Sequence, residues 1–157
     1  MKLLRFFKKT KVNSYIKMTV PIEIVELEND SIHIFISCKI NDKNYELIID
    51  TGASKTVLDL NSFSEILTSE IDEDVNSSGI GAEKIDVKIG TIEHFEIGEI
   101  IKYNYTISFV DLSHINNLYS NYSNKVVHGL LGSDFLYTYN AIINYKEKTL
   151  TLENIEL

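Results

Sequence analysis

The chain has 157 residues, 44% of them hydrophobic and 24% charged, which suits one domain with a sizeable core. One Pro and seven Gly exclude collagenous and proline-rich linker classes, and the single Cys38 excludes an intrachain disulfide. The formal net charge of −8 is unevenly placed: residues 1–20 carry six Lys/Arg and no acid, and the remainder carries nine bases against 23 acids. So acidic a body repels phosphates, which argues against a nucleic-acid partner.

In chain order, residues 1–19 read as a basic N-terminal arm and residues 20–157 as the folded domain. Leu3-Leu4-Arg5-Phe6-Phe7-Lys8-Lys9 is too short and too charged for a signal-peptide core. No apolar run approaches the length of a membrane span, so a cytoplasmic protein without a membrane span is expected. Val20 to Leu27 predicts a short edge strand, with Pro21 at its start. Residues 32–40 alternate, with Ile32, Ile34, Ile36, Cys38 and Ile40 on one face. Asn41 to Asn44 predict a hairpin loop, and Tyr45 to Ile49 the returning strand.

That strand delivers a carboxylate, Asp50, into a tight turn, Thr51-Gly52-Ala53-Ser54. A charge at the end of a buried strand is costly unless it is hydrogen-bonded or used. Thr51 offers a hydroxyl, and Gly52 a backbone that turns sharply and presents its N–H closely. Asp50 is therefore the candidate catalytic residue.

Asp59 is expected to cap a short helix over Leu60, Phe63, Ile66 and Leu67. Residues 68–78 read as an acidic, polar loop, followed by Ser78-Gly79-Ile80-Gly81-Ala82. Three period-two patterns then predict strands: Ile85/Val87/Ile89, Phe95/Ile97, and Ile101 through Phe109. Asp111 or Ser113 caps a predicted helix carrying Ile115, Leu118, Tyr119 and Tyr122. Gly129-Leu130-Leu131-Gly132 is an apolar strand leading into a helical turn at Ser133-Asp134, with Ser133 as cap. Ala141 to Tyr145 and Thr149 to Leu152 predict a closing hairpin. Seven or more short strands with one or two short helices imply an all-β, closed barrel-like domain.

Asp50-Thr51-Gly52-Ala53-Ser54 behind its apolar hairpin resembles the active-site loop of the retropepsin-like aspartic proteases. Gly129 to Leu136, with Leu131, Gly132 and Asp134, resembles their second signature. Ser78 to Ala82 falls where that family has its flap, a glycine-tipped hairpin over the substrate. The order fits over residues 20–154. The resemblance implies an aspartic endopeptidase acting on a peptide or protein substrate without metal or cofactor. It implies that Asp50 works as acid and base, Thr51 links two loops, and Gly52 contacts substrate. Two facing carboxylates are needed, and this chain has one Asp-Thr-Gly; Asp111 and Asp134 lack the Thr-Gly context. The partner carboxylate is therefore expected from Asp50 of a second copy in a homodimer. Ala53 stands where pepsin-like relatives place a Ser, which implies an optimum that is mildly acidic to near-neutral. Ser54 departs from the acidic residue of retroviral enzymes at that place.

Four histidines without ligand spacing or a paired Cys predict no metal site. His128 reads as a packed or half-exposed strand residue. Two other classes are weighed. One is the same fold as a catalytically weak dimerisation or peptide-binding module, since such a cleft binds extended peptide by strand addition. The other is a sugar-kinase or actin-like phosphate loop, for which the chain lacks both the length and a second glycine-rich loop.

Overall fold

The computed structural model describes residues 15–66, 77–78 and 84–155. The expected arm as far as residue 14, Leu67 of the expected helix, and Gly79 to Ala82 of the expected flap lie outside the described residues.

The strands in order are β1 (Tyr15–Pro21), β2 (Glu23–Glu26), β3 (Ile32–Ile40), β4 (Lys43–Ile49), β5 (Val57–Asp59), β6 (Ser77–Ser78) and β7 (Lys84–Ile85). They continue with β8 (Lys88–Ile97), β9 (Ile100–Val110), β10 (Gly129–Leu131), β11 (Ile142–Asn144) and β12 (Thr149–Ile155). Among the described residues, two short helices interrupt them, α1 (Ser113–Tyr122) and α2 (Ser133–Thr138). Strands β3, β4, β10, β5, β9 and β8 run side by side, and the β3–β8 pairing closes them into a barrel, as the all-β reading expects. β2 lies outside the ring as an edge on β3. A second sheet has the order β1-β12-β11.

The alternating side chains explain the closure. Ile34, Ile36, Cys38 and Ile40 of β3 point inward with Leu47, Ile49, Ile92, Phe95, Ile107 and Phe109 to form one apolar core. Phe35 belongs to the other face of β3 and is also buried, in a second cluster with Val110, Leu112, Tyr119 and Val127. α1 brings Tyr119 onto that face, edge-on to Phe35 and bonded to His33 Nδ1. Asn41 and Asp42 both have positive φ, the two-residue turn whose twist matches antiparallel strands. Burial pushes the Cys38 thiol up to about 12, consistent with an inert core residue.

Four expectations are corrected. β1 begins at Tyr15 and pairs with β12 from Tyr15↔Ile155 to Pro21↔Thr149, so the expected boundary at residue 20 falls inside a strand. Pro21 ends that strand rather than starting the next. Residues 60–65 form turns instead of a helix: Asp59 does cap them, but it also accepts from Leu112, which ties the segment to the start of α1. The first two of the three period-two patterns divide differently. Residues 88–97 form one continuous strand, while Ile85 belongs to β7, paired with β6 by Ser77↔Ile85 and Ser78↔Lys84. No helix among the described residues is long and apolar enough to cross a membrane.

Candidate active site

β10 lies between β4 and β5, parallel to the first and antiparallel to the second. The segment 50–56 therefore leaves the barrel at the end of β4, loops around the end of β10, and re-enters at β5. That topology puts the second glycine motif inside the aspartate loop. Asp50 N–H donates to Leu131 O at 3.0 Å, and Ser133 N–H donates to Ala53 O at 2.8 Å. Ser133 Oγ donates to Thr51 O at 2.8 Å. Ser133 thus makes no capping bond within its own helix; its hydroxyl holds the loop instead.

The close approach explains the glycines. A Cβ on Gly132 would stand 2.4 Å from the Lys55 carbonyl carbon, and one on Gly129 2.4 Å from Val57 O. No side chain fits at either position without moving backbone.

Asp50 is half-buried. Its Oδ1 accepts from Gly52 N–H at 2.8 Å and from Ala53 N–H at 3.2 Å. Among the described residues, no group hydrogen-bonds Oδ2. The Thr51 side chain is exposed, as are Gly52 and Ser54. The carboxylate is therefore anchored by one oxygen and open at the other, which leaves that oxygen available to a water or a second acid.

The sequence reading did not single out Thr56, which is buried and central. Its hydroxyl accepts from Gly132 N–H at 3.1 Å and donates to Asp134 Oδ1 at 2.8 Å. Its N–H donates to the same oxygen at 2.8 Å, and Phe135 N–H adds a fourth link. Asp134 belongs to this clasp, so its carboxylate is engaged in holding the loop. A hydroxyl at the strand entry, six residues after Asp50, was the available signal. Asp111 is likewise engaged, by Ser113 and Asn61, and those bonds hold its carboxyl below the usual range.

A groove of about 920 Å³ opens beside the loop. Gly52 to Val57 form one wall, β8 and β9 another through Ile89 and Ile107, and α1 a third through His114 and Ile115. Its lining is mainly apolar, with Asp86, Asp111, Lys55 and His114 at polar positions. Burial pushes the Tyr105 hydroxyl in this groove up to about 12, with Asp134 and Tyr139 adding to the effect, so it stays a neutral donor. Of the expected flap only Ser78 is described, in β6. Among the described residues, no group of three His, Cys, Asp or Glu side chains is placed to hold a metal. His128 sits just before β10, half-buried, and its Nδ1 accepts from Glu46 N–H at 3.2 Å.

Two solved structures share the fold. The structure is similar to that of a retropepsin-like aspartic protease from Rickettsia conorii, with a TM-score of 0.58 and 16% identity over 94% of this chain and 98% of that one. It is also similar to the retroviral protease-like domain of Ddi1 from Leishmania major, with a TM-score of 0.52 and 14% identity over 77% of this chain and 91% of that one. No curated protein sequence matches. An aspartyl protease family model matches residues 36–135, from the middle of β3 into α2. That span contains the aspartate loop, most of the groove and the glycine motif that clasps them, and the chain belongs to the aspartyl protease family, with the retropepsin-like fold.

Proposed function

We infer that the chain is an aspartic endopeptidase whose reactive centre forms when Asp50 of one copy meets Asp50 of another. One observation carries this reading. The two amides that fix Asp50 Oδ1 belong to Gly52 and Ala53, and the same two residues wall the groove. A peptide lying in the groove therefore passes the two residues that anchor the carboxylate.

The chemistry follows from placing two such carboxyls together. Two carboxyl groups within hydrogen-bonding reach share a proton, because both cannot ionise cheaply. The ionised one takes a proton from a water, which attacks the scissile carbonyl. The protonated one polarises that carbonyl and then helps protonate the leaving amine. Within one chain, Asp134 clasps Thr56 and Asp111 is held by Ser113 and Asn61, so these two carboxylates are committed elsewhere. That supports a partner carboxylate from a second copy. Ser78 to Ala82 is assigned the flap by its place in the sequence.

A peptide-library digest read by mass spectrometry tests the reading. The wild type is expected to cut internal peptide bonds, with an optimum that is mildly acidic to near-neutral, and Asp50→Asn to lose cleavage while keeping its fold. Cleavage unchanged in Asp50→Asn overturns it, and an optimum near pH 2 contradicts the expected environment of the pair. Peptides that bind the wild type without being cut leave the groove as a peptide-binding module.

A further inference from the structure

The groove is not electrically uniform along its length. We propose that it selects peptides by charge order, taking an acidic side chain at the end beside Lys55, nearer the cut, and a basic side chain at the far end beside Asp86 and Asp111. This rests on the reading of the groove as the substrate site.

Strand register places the charges. β5 runs parallel to β9, with Val57 level with Ser108. Lys55 precedes Val57 and so lies toward Thr106, on the side of the aspartate loop. Asp111 follows β9 and lies in the opposite direction, at the start of α1. From Thr106 to Asp111 is about 16 Å of extended chain. β8 runs antiparallel to β9, with Lys88 opposite Phe109. The same register, carried two residues further, sets Asp86 across from Asp111. Lys55, Asp86 and Asp111 all line the groove, and between its ends the lining is aliphatic through Val57, Ile89 and Ile107. The two ends are further apart than the screening distance of about 8 Å at physiological salt, so each acts on its own part of a bound peptide.

The charges are available. Lys55, Asp86 and Asp111 are exposed. Among the described residues, Lys55 and Asp86 have no ion pair. Asp111 is anchored as Asp50 is, by one oxygen. Its Oδ1 accepts from Ser113 N–H at 2.8 Å, from Ser113 Oγ and from Asn61 Nδ2 at 2.9 Å, and no described residue hydrogen-bonds Oδ2. Those bonds, with Ser113 foremost, hold its carboxyl below the usual range, so it stays charged in mildly acidic solution. Two carboxylates facing each other across strands repel until a cation comes between them. His114, at the same end, is positive only when protonated. At the other end Asp134 does not cancel Lys55, because it is clasped by Thr56 and attracts the ammonium of Lys102.

Two peptides of identical composition test this. Each has an aliphatic centre; one is flanked on both sides by Glu and then Lys, the other by Lys and then Glu, spaced about four residues apart to match the span. Net charge is the same, and only the order differs. Fluorescence anisotropy with Asp50→Asn is expected to show about tenfold tighter binding of the peptide with Glu inside, the size that a few exposed ion pairs supply. Wild-type kcat/KM is expected to follow the same order, and 1 M salt to abolish the preference. Exchanging the charges with Lys55→Glu and Asp86→Lys together leaves net charge unchanged and is expected to reverse the preference, with circular dichroism checking the fold. The comparison of the two peptides needs no charge-exchanged variant, so it stands whatever that variant does to folding. Equal binding of both orders, tighter binding with Lys inside, or a preference unmoved by salt overturns the charge order and spares the groove as the substrate site. Neither peptide bound nor cut overturns both readings.

Discussion

Two buried strands of this barrel each end in an aspartate, and the two carboxylates are treated differently. Asp59, the last residue of β5, is 2% exposed, and both oxygens are engaged: Oδ1 accepts from Leu112 N–H, and Oδ2 from Ser62 N–H and Oγ. Asp50, after β4, has two amides on one oxygen and no hydrogen bond from the described residues on the other. The contrast separates an acid committed to the fold from one with an oxygen left available. Saturating both oxygens fixes a turn and stabilises the fold; leaving one open holds a charge in place yet keeps it available.

The sharpest way to break that comparison is to remove the negative charge at each end. Asp50→Asn is expected to lower peptide cleavage roughly 10²–10⁴-fold, the usual contribution of a positioned acid or base. Its urea midpoint is expected to stay close to the wild type. Asp59→Asn is expected to do the reverse, with an amide group facing N–H donors in a buried site. Urea unfolding should show a loss of about 3 kcal/mol. Equal destabilisation by the two changes removes the distinction.

Gly132→Ala tests whether the second motif acts on the loop by contact. Its added methyl meets the backbone of Lys55, so about 2 kcal/mol of stability should be lost. Cleavage should fall even under conditions where the variant is folded, because the displaced segment carries Gly52 and Ala53. Thr56→Val keeps shape and removes the hydroxyl, leaving Gly132 N–H and Asp134 each short of a partner. About 1–2 kcal/mol is expected, read by thermal melts. The smallest effect concerns pH. Burial lowers the pKa of His128 from its ordinary 6.5, against smaller opposing effects of Glu46 and Asp59. As pH falls through about 6.5, the unfolded chain takes up a proton that the folded imidazole resists, so stability declines. His128→Asn, which keeps an acceptor without a titrating ring, is expected to flatten that slope.

The local features were legible because they are short-range. The alternation of β3, the hairpin at Asn41 to Asn44 and the Gly52 turn need only neighbouring residues, although that hairpin closes in two residues, Asn41-Asp42, with Lys43 and Asn44 already in β4. The helix expected over residues 60–67 failed for a tertiary reason: Asp59 reaches across to Leu112, and Leu60 N–H donates to Val110 O, so that stretch is tied to the end of β9 rather than to itself. Thr56 was passed over because its importance lies in partners 76 and 78 residues away. Ser133 looked like a cap because its own sequence neighbours show a helix start, whereas its hydroxyl is drawn to Thr51.

The sequence by itself determined an all-β chain, an aspartate at the end of an apolar strand, and a glycine motif preceding a short helix. Periodicity and turn chemistry carry that information, since both act over a few residues. Only the tertiary structure decided that β10 threads between the two limbs of the aspartate loop, that Asp134 serves as a clasp, and that one oxygen of Asp50 stays open. Those outcomes depend on which distant strands pair. Pairing is set by burying the whole apolar set at once, which no local stretch encodes.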